Sequence, residues 1–169
     1  MNNTQNIMLG TSIDNLTQKY ILEKIKKCIS SYSKTDQDMF HILSLNPEIM
    51  VSATENKTFR EVVKMAQIRI RDGAGIALAG KMLGISTGER MTGVDLMEKL
   101  IEYAYQTSRR VLLIGGEGKI AHDLAICYNE KYQSDLYLGI EGYKNFKKPT
   151  KEEAEKLFSI VTDWTPQIS

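Results

Sequence analysis

Short β-like runs alternate with helix-length amphipathic stretches along nearly the whole chain, and this alternation constrains the fold more than any other feature. The clearest run is Arg110-Val111-Leu112-Leu113-Ile114, closed by Gly115-Gly116-Glu117-Gly118. A second, Met39-Phe40-His41-Ile42-Leu43-Ser44-Leu45, reads as a buried strand, and shorter ones occupy 68–70 and 136–140. Helical patterns of about ten residues or more separate most of them. Strands spaced that way need crossover connections, which predicts an α/β chain with a mostly parallel sheet flanked by helices.

The local signals agree with a Rossmann-like arrangement of this kind. Residues 6–9 read as an edge strand. Gly10-Thr11-Ser12 then leads into an amphipathic helix with Ile13, Leu16, Tyr20, Ile21, Ile25 and Ile29 on one face, capped by Ser12 or Thr11. Residues 30–38 are polar and read as a loop. Asn46-Pro47-Glu48 is a helix start, with Asn as cap, Pro at the first helical position and an acid in the first turn. That helix runs to about Ala53, and another spans 58–66. A third ends near Gly84, and Arg90-Met91-Thr92-Gly93-Val94-Asp95 opens a fourth that carries Leu96, Met97, Leu100, Ile101 and Ala104. Further helices are expected at 119–132 and 152–160. A doubly wound domain usually adds a strand after its last helix. Pro166, in the tail Asp163-Trp164-Thr165-Pro166-Gln167-Ile168-Ser169, argues against one, so the chain reads as a single α/β domain over 1–169 that is cut short.

Composition narrows the function classes. The length of 169 residues suits one domain. With 22 basic and 21 acidic residues the net charge is +1, which argues against a dedicated nucleic-acid binder. Cys28 and Cys127 fall in helical stretches without metal-ligand spacing and are expected as buried thiols in a reducing cytosol. No apolar run approaches the ~18–20 residues that span a bilayer, and Met1-Asn2-Asn3-Thr4-Gln5 has no signal-peptide character. A cytoplasmic protein is expected, with contact at a membrane surface left open.

In a parallel sheet every strand delivers its carboxyl end to one edge, where open α/β sheets bind ligands. The loops Ser44-Leu45-Asn46, Asp72-Gly73-Ala74-Gly75 and Gly115-Gly116-Glu117-Gly118 all follow strands. Together they offer a hydroxyl, an amide, a carboxylate and two glycine-rich turns that open helices. Helix N-termini suit phosphate, and Arg90 precedes another helix start where it would serve as a diphosphate partner. Each residue also has a plainer role: Asn46 as a cap, Ser44 as a strand-end hydroxyl, Asp72 as a turn former, Arg90 as a surface cation. Lys144, Lys147, Lys148 and Lys151 read as a solvated face.

Gly116-Glu117-Gly118-Lys119-Ile120-Ala121 also fits G-x-G-x-x-A, and Glu141 stands where a ribose-binding acid would follow, so an NAD-type dinucleotide enzyme is a competing reading. His41 and His122 have no Cys or His companion at ligand spacing, and no metal site is expected. No Ser–His–Asp or Cys–His set is evident.

Five motifs in register resemble one family, the TagA/WecG/CpsF glycosyltransferases of bacterial cell-envelope synthesis. They are Leu45-Asn46-Pro47-Glu48; Asp72-Gly73-Ala74-Gly75-Ile76; Glu89-Arg90-Met91-Thr92-Gly93-Val94-Asp95-Leu96-Met97; Val111-Leu112-Leu113-Ile114-Gly115-Gly116; and Gly142-Tyr143. The resemblance covers roughly residues 6 to 160. It implies inverting transfer of an N-acetylhexosamine, typically N-acetylmannosamine, from a UDP-sugar to an undecaprenyl-diphosphate-linked sugar, without a metal or other cofactor. Asp72 falls on the proposed catalytic base, and Ser44 where Thr is common. Asn46, Gly73 and Arg90 fall on pocket positions, with Arg90 facing the UDP leaving group, and Gly115 and Gly116 would approach the nucleotide. Peripheral contact with the inner face of the cell membrane and self-association are implied too.

Two departures stand out. Arg71 occupies a position where Pro often precedes Asp-Gly. The family's later strand, with a Gly-x-Pro-Lys-Gln-Glu type segment, and its basic C-terminal appendage have no counterpart in these 169 residues. A truncated, non-catalytic nucleotide-binding module is therefore the alternative to an enzyme.

Overall fold

A computed structural model describes residues 6–31, 40–145 and 148–169. Most of the expected loop at 30–38, together with Met39 and Lys147, lies outside them. The chain divides into two compact units, Met1–Met97 and Glu98–Ser169.

The first unit opens with a hairpin of β1 (Asn6–Met8) and β2 (Thr11–Ile13), paired antiparallel with Asn6 opposite Ile13. Leu9 (φ 50°) and Gly10 (φ 73°) are both left-handed, the geometry a two-residue hairpin turn needs to match strand twist. Here the structure departs from the expected helix start. Ile13 is a fully buried strand residue, and helix α1 (Gln18–Ser31) begins later, with Thr17 Oγ1 accepting from the Tyr20 amide. The cause lies far along the chain. The Asp14 carboxylate accepts from the Arg69 amide at 2.8 Å and pairs with its guanidinium at 3.7 Å, which holds residue 14 against a later strand. Ile21, Ile25 and Ile29 are buried on α1 as their spacing predicts, whereas Tyr20 is half exposed and Ser30 and Ser31 extend the helix.

β3 (Ile42–Leu45) pairs in parallel with β4 (Ile68–Arg71), joined by α2 (Pro47–Glu55) and α3 (Lys57–Met65). Asn46 and Asn56 cap the two helices through their side-chain oxygens. Met8, Ile13, Leu45, Met50, Ala53, Val63 and Ile76 form one core, and the larger of these side chains each contribute about 1.5–3 kcal/mol by burial. Helix α4 (Ala74–Leu83) follows β4 and ends at Gly84 in the left-handed conformation. Helix α5 (Gly93–Gln106) starts in this unit, where Thr92 and Asp95 cap each other's amides.

The second unit pairs β5 (Val111–Ile114) with β6 (Tyr137–Ile140) in parallel, connected by α6 (Ile120–Tyr132). A Cβ on Gly139 would lie 1.9 Å from the Ala121 carbonyl oxygen, so only glycine lets the helix sit this close to the strand. Tyr137 is buried and its hydroxyl donates to the Ile101 carbonyl at 2.9 Å; burial, then the neighbouring tyrosines, push its pKa up to about 12. Helix α7 (Lys151–Trp164) is longer than its sequence pattern indicates, starting at a Thr150–Glu153 capping box. Beyond it no strand forms among the described residues, as Pro166 predicts, and the tail makes only an isolated bridge. Ile168 makes a parallel bridge to Val111, and the Leu112 amide donates to the Ile168 carbonyl at 2.9 Å. Proline precedes the pairing residues, so its missing N–H removes no ladder bond. The expectation of buried thiols also fails, since Cys127 is exposed and Cys28 only partly covered.

Candidate functional site

Parallel pairing of β3 and β4 brings the Ser44 and Asp72 loops to one edge, as their strand-end positions predict. Leu45 and Arg71 form the last pair, and the Asp72 amide carries the ladder one step further by donating to the Leu45 carbonyl at 2.8 Å. Ser44, opposite Ile70, turns its hydroxyl to that edge and donates to Asp72 Oδ2 at 3.0 Å. The bond is part-buried and occupies one carboxylate oxygen. Asp72 retains lone pairs for a proton from another hydroxyl.

The backbone around the carboxylate is shaped by two glycines. Gly73 has φ 82° and ψ 163°, a region that is essentially glycine-only, and it turns the chain directly into α4. A Cβ on Gly75 would stand 2.8 Å from Pro47 Cγ, so the first turn of α4 rests on the first residue of α2. Asn46 uses Oδ1 to cap the Ile49 amide at 2.8 Å, which confirms the cap role and leaves its amide nitrogen as a donor.

Arg90 reaches the same strand end through its backbone. It forms an isolated parallel bridge with Arg71, and the Met91 amide donates to the Arg71 carbonyl at 3.2 Å. Gln18 holds this segment, donating from its side chain to the Arg90 carbonyl at 2.6 Å and from its amide to Glu89 Oε2 at 2.9 Å. The Arg90 side chain is exposed. Arg71 Nε is buried without a hydrogen-bond partner among the described residues. Gly93 was not singled out from sequence, yet a Cβ there would stand 3.6 Å from Ser44 Oγ, which sets the start of α5 beside the hydroxyl. Its sequence signal is membership of the Glu89-to-Met97 motif. The edge thus combines an oriented carboxylate, a hydroxyl and the start of α4, whose N-cap Gly73 makes no side-chain cap bond; a helix start of that kind favours anionic ligands.

Gly115 and Gly116 belong to the second unit. Both have positive φ (108° and 79°), as does Gly118 (59°), and the Gly115 amide extends the parallel ladder to the Ile140 carbonyl at 3.0 Å. The close Ala121–Gly139 packing supplies the tight helix–strand contact that the third position of a nucleotide fingerprint serves. At the carboxyl end of β6 lies a cleft of about 740 Å³, with Lys119, His122, Glu141, Tyr143 and Lys156 among its lining residues. Glu141 thus follows β6 at the cleft, where the fingerprint expects its acid. Lys156 carries no local sequence signal, because its place depends on how α7 packs. Glu153, also on the wall, is held below the usual carboxylate range, first by the Thr150 amide and then by the Lys144 amide. Among the described residues no three His, Cys, Asp or Glu side chains gather as a metal site, and no helix is long and apolar enough to cross a membrane.

Comparison with known proteins gives a consistent outcome. The Glycosyl transferase WecG/TagA/CpsF family matches residues 6–168. Relatives from Staphylococcus aureus strains NCTC 8325 / PS 47, COL and MRSA252 are each named N-acetylglucosaminyldiphosphoundecaprenol N-acetyl-beta-D-mannosaminyltransferase. Each is 25% identical over 151 residues, which is 89% of this chain and 58% of the relative. The chain therefore spans less than two thirds of the length of these enzymes.

Proposed function

Because the chain belongs to the WecG/TagA/CpsF family of glycosyl transferases, we propose that it transfers an N-acetylhexosamine, N-acetylmannosamine by kinship with the staphylococcal enzymes, from a UDP-sugar to an undecaprenyl-diphosphate-linked sugar. The product would feed a cell-envelope polymer such as teichoic acid. The observation that carries this reading is the Asp72 carboxylate, oriented by Ser44 at the carboxyl end of a parallel strand pair.

In the proposed reaction Asp72 takes the proton of the acceptor hydroxyl while that oxygen forms a bond to the anomeric carbon. The bond from the anomeric carbon to the UDP oxygen breaks, and UDP departs with the electron pair. Attack opposite the leaving group inverts the centre. Ser44 fixes the carboxylate's direction so that no reorientation is needed during the reaction. Asn46 and the Gly73 backbone line the acceptor's approach, and Arg90 offsets charge on the diphosphate. The second unit, taken by itself, offers the positive-φ backbone of Gly115 and Gly116 to a nucleotide. The reading needs no cofactor: the UDP-sugar is a substrate, and positive charge comes from the chain.

Transfer from UDP-N-acetylmannosamine to a short-chain lipid-linked acceptor tests the proposal. Asp72→Asn is expected to abolish transfer while UDP still binds, and near-normal turnover would remove Asp72 from the mechanism. The glycine loop and Glu141 favour a nucleotide in the second unit without choosing between UDP and NAD. Thermal stabilisation chooses, because a ligand at 100 times its Kd adds ~2.7 kcal/mol. Stabilisation by NAD without a UDP effect would overturn the transferase reading.

A further inference from the structure

Arg71 closes β4, and the Asp72 loop begins at the next residue. The isolated parallel bridge to Arg90 sets the two arginines side by side, about 4.8 Å apart, with both side chains on one face. Residues along a strand alternate faces, so this is the face turned away from Ile70 and its neighbour Ser44. The arginine pair therefore stands at the same strand end as the Asp72 carboxylate, across the edge from it.

Neither charge is balanced from within. Among the described residues neither guanidinium forms an ion pair, and Arg71 Nε is buried without a hydrogen-bond partner. Two other arginines of the same unit differ. Arg69, on the same face of β4, pairs with Asp14 and donates to the Val63 and Lys64 carbonyls. Arg60 donates to the carbonyls of Ala53 and Thr54. A buried donor left open beside a second cation calls for a partner from outside the chain, and that partner must be an anion.

We propose that Arg71 and Arg90 form a two-arginine clamp for a diphosphate, in which Arg71 supplies the second charge. The inference rests on the transferase reading, in which the UDP-sugar and the lipid-linked acceptor are both diphosphate diesters. Each carries one ionised oxygen on each phosphorus, so two adjacent negative charges meet two adjacent positive ones. Guanidinium suits that task, since its planar fork binds phosphoryl oxygens in pairs and it stays charged at any working pH. A substrate held this way crosses the end of β4, with its phosphoryl groups on the arginine face and its sugar towards Asp72.

The test is isothermal titration of the full chain with UDP and, separately, with a short-chain diphosphate-linked acceptor. Arg71→Met and Arg90→Met are each expected to raise the Kd of the same ligand roughly tenfold or more. Its salt dependence should also become shallower. Arg71→Lys should fall between parent and Arg71→Met, because it keeps the charge and loses the fork. A loss towards UDP assigns the clamp to the donor, and a loss towards the acceptor assigns it to the acceptor. A parent that binds neither ligand, or an Arg71→Met chain with the parent's Kd for both, overturns the proposal. Methionine keeps an apolar stem and removes the unpartnered donor, so the ligand-free Arg71→Met chain should melt at or above the parent's midpoint. A lower midpoint would mark an arginine that holds the fold, and overturns the proposal too. Transfer is read separately. A parent that transfers while Arg71→Met keeps its Kd and KM refutes the clamp alone; one that loses diphosphate affinity with Arg71 but never transfers refutes the transferase reading alone.

Discussion

Gly73→Ala should separate the geometry of the site from its chemistry. A Cβ at residue 73 would meet nothing within 4 Å, so the substitution introduces no clash. What it introduces is strain, because φ 82° with ψ 163° lies in a region alanine scarcely visits, at a cost of about 1–3 kcal/mol. Loss of glycine entropy in the unfolded chain offsets about 0.4–1 kcal/mol of that. If the loop holds its conformation, urea denaturation should show a net loss on the order of 1–2 kcal/mol. If the loop relaxes instead, stability recovers but Asp72 leaves the 3.0 Å bond to Ser44, and transfer should fall. Gly84→Ala is the control: φ is also positive there, at 66°, with nothing within 4 Å, but the residue lies at the far end of α4. It should cost about 1–2 kcal/mol and leave transfer per folded molecule unchanged. A Gly73→Ala chain within about 0.5 kcal/mol of the parent and equally active would refute the claim that this backbone positions the carboxylate.

Ser44→Ala removes a hydrogen bond to a carboxylate, worth about 1.5–3 kcal/mol, and should lower kcat roughly 10- to 100-fold with little change in KM; steady-state kinetics with an unchanged kcat would show that Asp72 needs no orienting partner. Tyr137 sets an alkaline limit on the second unit. Its folded pKa of about 12 lies above the ~10 of an unfolded tyrosine, so its contribution is complete below pH ~10 and is lost as pH rises through the folded value. Denaturation midpoints followed across that window should fall in the parent and fall less in Tyr137→Phe; identical slopes would contradict the assignment.

The elements read correctly from sequence are those set by local chemistry. Asn46-Pro47-Glu48 starts a helix because its cap bond runs only to residue 49, and Gly84 ends one because a left-handed residue is needed next to Leu83. The hairpin and the late start of α1 were not legible in the same way. Leu9-Gly10 is a poor signal for a two-residue turn, since leucine rarely takes positive φ. The isoleucine spacing from residue 13 onward suits a helix until Asp14 is claimed by Arg69, 55 residues away. Tertiary pairing overrode an adequate local pattern there, whereas the tail after α7 forms no strand, as Pro166 predicts, and Ile168 makes only an isolated bridge to Val111.

The candidate site divides along the same line. Ser44 and Asp72 stood out because each follows a strand, but their hydrogen bond depends on a register that sets Ser44 opposite Ile70, two residues before the carboxylate. A one-residue slip would turn the hydroxyl to the other face and leave Asp72 unoriented. That register is held from outside the site: the Arg69 guanidinium donates to the carbonyls of Val63 and Lys64 at the end of α3, while its amide is held by Asp14. Arg69 can thus matter to the reaction without touching substrate. Its buried charge clamps the strand whose next-to-last step decides where the Asp72 carboxylate points.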